Sequence, residues 1–581
     1  MMVRYWRIHK SLRPASFILS GLIVCHLLAC GCTRVHYRKS ADREVAAIIA
    51  GKTPEVPNMD RRFTIEETNA VSFDQLRVAT NSVEFLGAEG AMEVGAHVLS
   101  LEEALDIGVK HSRTYQNRKE QLYLSALSLT LARNQFTPIF TGRAQGAHQT
   151  TTEEVRVVVD AITGQPRVLA AEDALLVEQH RVTEQNQLGA SLLLASGARI
   201  SAAFTTDFLR YLSGDPRSFT SSQLGATVVQ PLWRGRGYRV TMENLTQSER
   251  NMLYALRDFT RYRKDFSVQV ATAFYNVLQN RDTVLNNWLG LQSFRKSAER
   301  SRSFVQEGRT KLSELGRLEQ EELASEAAWI SAIRAYKQSL DTFKILIGLP
   351  ISENIVLDTG DLDSLRILHP AIKVEDAIAL ALTMRLDYLT ARDSREDAVR
   401  KVDVAADALK AQVDLVASGG VNSGPGLGRG FVLPDFERYR WDAGLNVDLP
   451  FERTAQRNSY RAALIASKQA ERELVNLEDN IRLQVREGWR ALDQAKRNYE
   501  ISELRVKLSE RRVEEQDLLS ELGRGVAKDQ VDAQNDLVSA KNQRTQALVA
   551  HTIARLQFWN STGILYIKEN GKWEEVSPAG K

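Results

Sequence analysis

The chain has 581 residues, of which 43% are hydrophobic and 26% charged, and this composition excludes a disordered polymer. Its 76 lysine and arginine residues nearly balance its 73 aspartate and glutamate residues, so the net charge of +3 supplies no broad basic surface for nucleic acid. Cys25, Cys30 and Cys32 are the only cysteines. The chain after residue 32 therefore has no disulfide framework, cysteine-ligated zinc site or cysteine nucleophile.

The N-terminus predicts an export signal, because a basic start precedes an apolar run that is too short and badly flanked for a spanning helix. The run ends in Leu27-Leu28-Ala29-Cys30, which resembles a bacterial lipobox. That resemblance implies a signal peptide over 1–29 and lipidation of Cys30, with Cys32 as the weaker alternative. An ordinary signal peptide or an uncleaved anchor is the other interpretation. Residues 30–95 show no sustained period and predict a loose N-terminal extension.

No later segment reaches the ~20 apolar residues of a membrane helix. If the protein spans a membrane, we expect it to do so with strands.

The remaining chain contains an internal repeat. When Ala104 is aligned with Ala377, Tyr115 also meets Tyr388. The later parts of the two repeats match at a constant offset of 215, which brings together the pairs Val270 and Val485, Val277 and Leu492, Phe274 and Trp489, Gly308 and Gly523, Phe343 and Phe558, and Gly348 and Gly563. A repeat of this length predicts one architecture that is built twice.

Each repeat predicts a helix, a strand region and a long helical hairpin. Apolar residues recur every seven positions in the first hairpin, with Arg263 filling one slot, at Leu256, Val270, Val277, Val284, Leu291, Ala298 and Val305. Sustained heptads indicate a coiled-coil seam. A helix over about 238–306 is roughly 100 Å long, which exceeds any compact domain. The chain is expected to reverse near Gly308 and near Gly523.

The strand regions alternate apolar and polar residues. Residues 441–449 alternate strictly, and 223–228 do so at the equivalent place in the first repeat. Such alternation predicts a membrane strand with one face to lipid and one to water, or a soluble sheet with one wet face. On the membrane interpretation the lipid-facing residues are Leu224, Val228, Trp441, Leu445 and Val447. The lumen-facing residues are Gln223, Thr227, Asp442, Asn446 and Asp448.

Two main strands in each repeat give four per chain, and 188–206 predict a further hairpin. The number of strands within 138–232 stays open. Four strands are too few to close a barrel, and an open sheet edge in lipid costs several kcal/mol for each unpaired backbone group. The sequence therefore predicts an oligomer whose copies share one wall.

This order of elements resembles the TolC-like outer-membrane efflux factor family over about residues 96–567. The resemblance is carried by Gln230-Pro-Leu-Trp-Arg-Gly235, Asp448-Leu-Pro-Phe-Glu452, Glu307-Gly-Arg-Thr-Lys-Leu-Ser-Glu-Leu315 and Phe343-Lys-Ile-Leu-Ile-Gly-Leu-Pro350. It implies a mainly α fold with β: duplicated coiled-coil hairpins in a periplasmic α-barrel, and strands contributed to a shared, trimeric, twelve-stranded membrane barrel. It also implies a passive conduit for efflux or type I secretion that works with a periplasmic adaptor and an inner-membrane pump.

The implied division of the chain follows the repeats. It comprises 1–29 (signal peptide), 30–95 (lipid-anchored extension), 96–350 (first repeat, strands about 138–232 and hairpin about 233–348), 351–371 (linker), 372–567 (second repeat, strands about 411–450 and hairpin about 452–562) and 568–581 (tail).

The resemblance also assigns the hairpin tips to the closed end of the tunnel and to adaptor contact. The positions at the tips are Glu307, Gly308, Arg309, Thr310, Glu521, Gly523, Arg524, Gly525 and Asp529. Arg309 and Arg524 are expected to face the closed end, where the nearby acidic residues would pair with them. Ordinary solvated tips are the alternative, because exposed ion pairs contribute only ~0–1 kcal/mol.

Catalytic chemistry is not predicted. The nine histidines are dispersed, and the sequence offers no metal-ligand spacing or nucleophile–base arrangement. We predict no enzyme, no cofactor and no nucleic-acid partner. The alternative functions are a periplasmic coiled-coil scaffold lipoprotein that does not span the membrane, and an exported hydrolase with a helical appendage.

Overall fold

The computed structural model describes residues 33–60, 63–66, 73, 76–155, 157–159, 164–168, 170, 175–212, 218–424, 426–427, 432–449, 451–522 and 524–574. The predicted signal peptide, Cys30, Cys32 and Gly523 lie outside the described residues. In the described part of the chain, no helix combines the length and the apolarity that a membrane-spanning helix requires.

The described part of the first half has three α-helices before the main strand region and, after it, one short helix and two long ones. Its helices are α1 (Arg34–Lys52), α2 (Leu101–His111), α3 (Arg113–Asn134), α4 (Tyr238–Thr241), α5 (Glu243–Gln306) and α6 (Leu312–Ile347). Its strands are β1 (Arg77–Val78), β2 (His97–Leu99), β3 (Ile139–Val155), β4 (Val157–Val159), β5 (Pro166–Val168), β6 (Leu175–Leu193), β7 (Arg199–Tyr211) and β8 (Ser218–Pro231).

The second half follows the same order with fewer strands. Its helices are α7 (Gly360–Asp363), α8 (Val374–Met384), α9 (Leu386–Asp407), α10 (Thr454–Glu521) and α11 (Ala527–Ser561). Its strands are β9 (Ile355–Leu357), β10 (Gln412–Asn422), β11 (Gly426–Leu427), β12 (Tyr439–Asp448), β13 (Tyr566–Ile567) and β14 (Trp573–Glu574). The predicted fold class, long helical hairpins with an antiparallel sheet, is confirmed.

The internal repeat of the sequence also appears in the lengths and ends of the helices. Helices α2 and α3 have 11 and 22 residues, and so have their counterparts α8 and α9. Helix α5 ends at Gln306 and α10 ends at Glu521, and α6 and α11 begin at Leu312 and Ala527. Both of these pairs keep the offset of 215, so the same local signals begin and end the same helices twice.

The N-terminal extension is packed rather than loose in its described part, which corrects the expectation for 30–95. Helix α1 buries Val45, Ile48 and Ile49. It runs in the same direction as α3, because Asp42 accepts a hydrogen bond from Tyr123 and, ten residues later, Lys52 shares Glu249 with Arg133.

Glu93 ties the end of the same extension to the long hairpin. Its carboxylate lies 2.9 Å from the Arg281 guanidinium and 2.9 Å from the Tyr336 hydroxyl, and all three side chains are buried. Periodicity in the sequence does not predict these contacts, because they depend on single residues rather than on an apolar face that repeats along a helix.

Six strands form one antiparallel path in the main sheet, in the order β12-β10-β8-β7-β6-β3, and β11 pairs with β8 at its side. The first repeat supplies four of these strands, two more than the two main strands predicted for each repeat, which gives the number that the sequence left open within 138–232. The additional pair is a long hairpin, in which all seventeen residues of β3 pair with β6. The predicted turn between 188 and 206 is present and joins β6 to β7 around Gly197, which has a φ of +93°.

The four long helices form a layer in the order α6, α5, α11, α10. Each hairpin packs on itself, as the ion pair between Arg512 and Asp536 illustrates for α10 and α11. The two hairpins meet between α5 and α11, where Asn286 bonds to Asn542 at 3.0 Å. Helices α6 and α10 are consequently the two outer helices of this layer.

The heptad positions of α5 form the seam of this layer. Leu256, Val270, Val284 and Leu291 are fully buried. Arg263, which interrupts the series, is also buried and donates to the carbonyl of Asn58 at 2.9 Å. A charged residue therefore occupies a core position because its guanidinium finds backbone acceptors there.

Candidate functional site

The register of the sheet sorts the predicted strand residues into two faces, because directly paired residues point the same way. One row across all six strands consists of Phe140, Ala190, Ala202, Ala226, Gly419 and Trp441. The next row consists of Ile139, Ser191, Ser201, Thr227, Ser418 and Asp442, and it lies on the opposite face. In that second row the Ser418 hydroxyl donates to Asp442 at 2.6 Å.

The first face carries no charged side chain within a band of the described strands, and we call it the uncharged face. The band covers 140–144, 186–192, 200–206, 222–230, 413–421 and 439–447, and the next row contains Glu184. The five residues predicted to face lipid all lie on it: Leu224, Val228, Trp441, Leu445 and Val447.

The opposite face is the polar face. It holds the five residues predicted to face the lumen: Gln223, Thr227, Asp442, Asn446 and Asp448. Two charged residues that the sequence did not single out, Arg143 of β3 and Asp207 of β7, share this face. The alternation around Arg143 was present in the sequence, but glycine and alanine filled the apolar positions and weakened its signal.

The uncharged face is open to solvent in the single chain. Trp441 is 74% exposed and Phe140 is 79% exposed, and these residues lie on the two edge strands of the sheet. Large apolar side chains at that exposure indicate a surface that lipid or another chain covers.

The hairpin tips combine sharp turns with charged residues. Gly308 has a φ of +72°, which favours glycine, and it follows directly on the end of α5. Arg309 pairs with Glu307 at 3.3 Å and stacks over the Phe304 ring at 4.6 Å. Arg309 is therefore bound by residues of the first tip itself.

The second tip contacts the neighbouring hairpin. Glu521 lies 3.9 Å from Arg300 of that hairpin. Arg524 and Asp529 make backbone hydrogen bonds to Leu519 and Val526. Thr310 and Gly525 lie in the two turns, and Glu314 accepts a hydrogen bond from the backbone of Ala527 at 2.9 Å. The two tips are therefore tied to each other within one chain.

Buried ion pairs join the two repeats below the sheet. Arg257 of α5 and Asp393 of α9 lie 2.7 Å apart, with side chains 10% and 11% exposed. The Asp397 carboxylate accepts hydrogen bonds from the Tyr254 hydroxyl at 2.6 Å and from the Arg400 guanidinium at 2.9 Å. Burial and this carboxylate raise the pKa of Tyr254 to about 12. No local signal in the sequence predicts the contacts of Arg257 with Asp393 and of Tyr254 with Asp397, whose partners lie more than a hundred residues apart.

A second group of buried polar residues lies on α11. His551 is fully buried, and within the described residues neither of its ring nitrogens has a hydrogen-bond partner. Burial and the nearby positive charges of Arg555, His369 and Lys496 lower the pKa of His551 to about 4. The described residues contain no group of three or more histidine, cysteine, aspartate or glutamate side chains arranged to hold a metal ion.

Known structures share this arrangement. The Campylobacter jejuni CmeC outer membrane channel is 12% identical, with a TM-score of 0.56, over 87% of this chain and 94% of that one. The outer-membrane channel OprN is 13% identical, with a TM-score of 0.56, over 87% of this chain and 98% of that one. The open state of the Neisseria gonorrhoeae MtrE outer membrane channel is 14% identical, with a TM-score of 0.57, over 80% and 90%.

The chain has the TolC-like fold. The expected resemblance is thus confirmed at the level of the fold. No family model matches the sequence, and no curated protein matches it. The TolC-like fold places the uncharged face and the hairpin tips at opposite ends of the long helices, about 100 Å apart for a 64-residue helix.

Proposed function

We propose that the protein is the outer-membrane channel component of a tripartite efflux or type I secretion system, and that it acts as a passive conduit. The observation that carries this proposal is the uncharged face, which runs without a charged side chain across six antiparallel strands. A soluble sheet gains nothing from exposing Trp441 and Phe140, whereas a membrane strand requires such a face. The polar face then lines a water-filled lumen.

The assembly is a homotrimer, as the resemblance implies. Both layers of the chain end in open edges, because β3 and β12 border the sheet and α6 and α10 border the helical layer. Toward the tip, helix α10 exposes the apolar residues Ile501, Leu504, Leu508 and Leu518, and Leu522 directly after the helix is exposed as well. Neighbouring copies cover these edges, so that the helices form a tube through the periplasm.

The hairpin tips, with Arg309 and Arg524, face a periplasmic adaptor at the narrow end. An inner-membrane pump supplies the energy for transport. This chain needs no cofactor and contributes the wall and the gate.

The lipid anchor at Cys30 is part of the same proposal. Helix α1 runs toward the sheet from Thr33, so its start lies about 27 Å farther from the sheet than Lys52, at 1.5 Å per residue. Mass spectrometry of the mature N-terminus, compared between wild type and Cys30→Ser, tests the modification directly.

The decisive experiment combines assembly with conduction. Purified protein in detergent is expected to run as a heat-modifiable trimer and to form discrete channels in a planar bilayer. A stable monomer that stays in solution without detergent would refute the proposal and favour the periplasmic scaffold.

A further inference from the structure

We infer that the membrane wall contains six strands from each copy, and that three copies close an eighteen-stranded barrel in which β3 of one copy pairs with β12 of the next. This inference rests on the proposed trimeric channel. It differs from the twelve strands that the family resemblance implies.

The first support is the continuity of the uncharged face. The added hairpin of β3 and β6 carries the same face as the other strands, with Phe140, Ala144, Leu188 and Leu192 on it. Arg143 lies on the polar face beside them. A hairpin that stood outside the membrane would have no reason to keep both faces in phase with the rest of the sheet.

The second support is the direction of the strands. All pairings along the path are antiparallel, so the six strands alternate in direction and β3 runs opposite to β12. An edge β3 therefore meets the edge β12 of a neighbouring copy as an antiparallel pair, which the closed barrels of outer membranes require. Helix α10 follows β12 in the chain, so the sheet and the helical layer offer their edges to the same neighbour.

The third support is the width of one copy. Six strands ~4.8 Å apart and tilted by ~40° occupy ~38 Å of a barrel wall, whereas four strands occupy ~25 Å. Four packed helices occupy ~36–40 Å of the tube below, at ~9–10 Å for each helix. The four helices beside the sheet are α3, α5, α9 and α10, because α3 leads into β3 and α9 packs between α5 and α10, whereas α6 and α11 end where α3 and α9 begin. Six strands therefore match these four helices, and the barrel continues the tube without narrowing.

The consequence is a wide exit. Eighteen strands give a backbone diameter of ~36 Å, compared with ~24 Å for twelve. Barrels of 16–18 strands leave an open aqueous channel. The narrowest part of the conduit is then at the hairpin tips.

Disulfide trapping in the assembled full-length protein tests the pairing. Ala144→Cys on β3 is combined with Ala443→Cys, Leu445→Cys or Val447→Cys on β12, all on the uncharged face. The matched controls combine Ala144→Cys with Gly444→Cys or Asn446→Cys on the polar face. Each single variant serves as the background for linkage through the native cysteines.

We expect oxidation of at least one face-matched pair to give linked dimers and trimers on a denaturing gel and nothing larger, while the controls stay monomeric. Products that stop at dimers would indicate a twelve-stranded barrel of two copies and would overturn the inference. Linkage of β12 to β7 (Ala443→Cys with Phe204→Cys) in place of β3 would also overturn it, because the wall would then hold four strands from each copy. So would the absence of any linkage in channels that conduct.

Conductance of the unlinked variants separates the two proposals. Channels that conduct but link elsewhere refute the eighteen-stranded wall alone. Protein that forms no channel refutes the proposed function itself.

Discussion

Gly348 and Gly563 occupy equivalent places in the two repeats, with φ values of +86° and +79°. Each glycine follows a long helix and lies against the junction of the two helices that open its own repeat. A Cβ on Gly348 would lie 2.1 Å from the His111 carbonyl oxygen, and one on Gly563 would lie 3.2 Å from the Arg385 nitrogen. The two glycines therefore share both a backbone conformation and a tertiary contact, as expected for equivalent positions of a duplicated structure.

Gly348→Ala is expected to destabilise the fold by more than about 3 kcal/mol. A left-handed φ costs an alanine about 1 kcal/mol, and the new Cβ would clash with the backbone of His111, which a side-chain rearrangement cannot relieve. Gly563→Ala has a milder contact and should cost less. Gly308→Ala is the control, since its φ is also positive but its Cβ would meet open space. Urea unfolding in detergent measures all three, and equal losses would contradict the argument.

Arg257→Met is expected to cost about 3 kcal/mol, because the buried carboxylate of Asp393 loses its closest partner and keeps only Arg250 at 3.8 Å and Arg392 at 3.9 Å. The double variant Arg257→Met/Asp393→Leu should recover most of that loss. The exposed pair of Arg512 and Asp536 has the same 2.7 Å separation, so Arg512→Met is a matched control with an expected cost of ~0–1 kcal/mol. A double-mutant cycle on unfolding free energies checks this, and a double variant no more stable than Arg257→Met would count against it.

His551 is expected to make the protein sensitive to acid. Its pKa of about 4 lies below the usual value near 6.5. Between about pH 6.5 and pH 4, His551 is therefore protonated in the unfolded chain but neutral in the folded chain. Stability should fall by about 1–3 kcal/mol as the pH drops from 6.5 to 4.

In the variant His551→Leu, stability should fall less steeply between pH 6.5 and pH 4. The unfolding midpoint, measured as a function of pH, checks this. His36→Leu, on the exposed start of α1, is the control and should keep the wild-type slope. An unchanged slope in His551→Leu would show that other groups titrate in this window.

Leu445 and Asn446 are adjacent in β12 but lie on opposite faces. Leu445→Arg is expected to cost about 2–4 kcal/mol in membrane assembly, because it places a cation against lipid. Asn446→Arg should assemble normally and shift ion selectivity toward anions, since it adds positive charge to the lumen. Heat-modifiable mobility and reversal potentials in a salt gradient measure the two effects, and the opposite pattern would reverse the assignment of the faces.

Arg524→Ala and Arg300→Ala are expected to raise the conductance or the open probability of single channels. The first removes a charge at the tip, and the second removes the partner of Glu521 that ties the two hairpins together. Arg497→Ala breaks an exposed pair on α10, far from the tip, and should leave conduction unchanged. Channels of Arg524→Ala that conduct as wild type does would favour an ordinary solvated tip.

The sequence by itself determined the types and the order of the elements. Heptads in 238–306 predicted the long helix, and alternation in 441–449 predicted β12 and its two faces. These signals are local, because the period of a face is written into consecutive residues. The two constant offsets added the duplication, which the paired helices reproduce.

Only the tertiary structure decided the number of strands, the packing of α1 and the partners of the charged residues. The sequence predicted strands within 138–232 and a hairpin over 188–206 but left the number of strands open, because the uncharged face of β3 uses Gly142 and Ala144, which give little hydrophobic signal. Arg257 meets Asp393, and Glu521 meets Arg300, across long stretches of chain. Such contacts depend on how whole elements dock, and no local period carries that information.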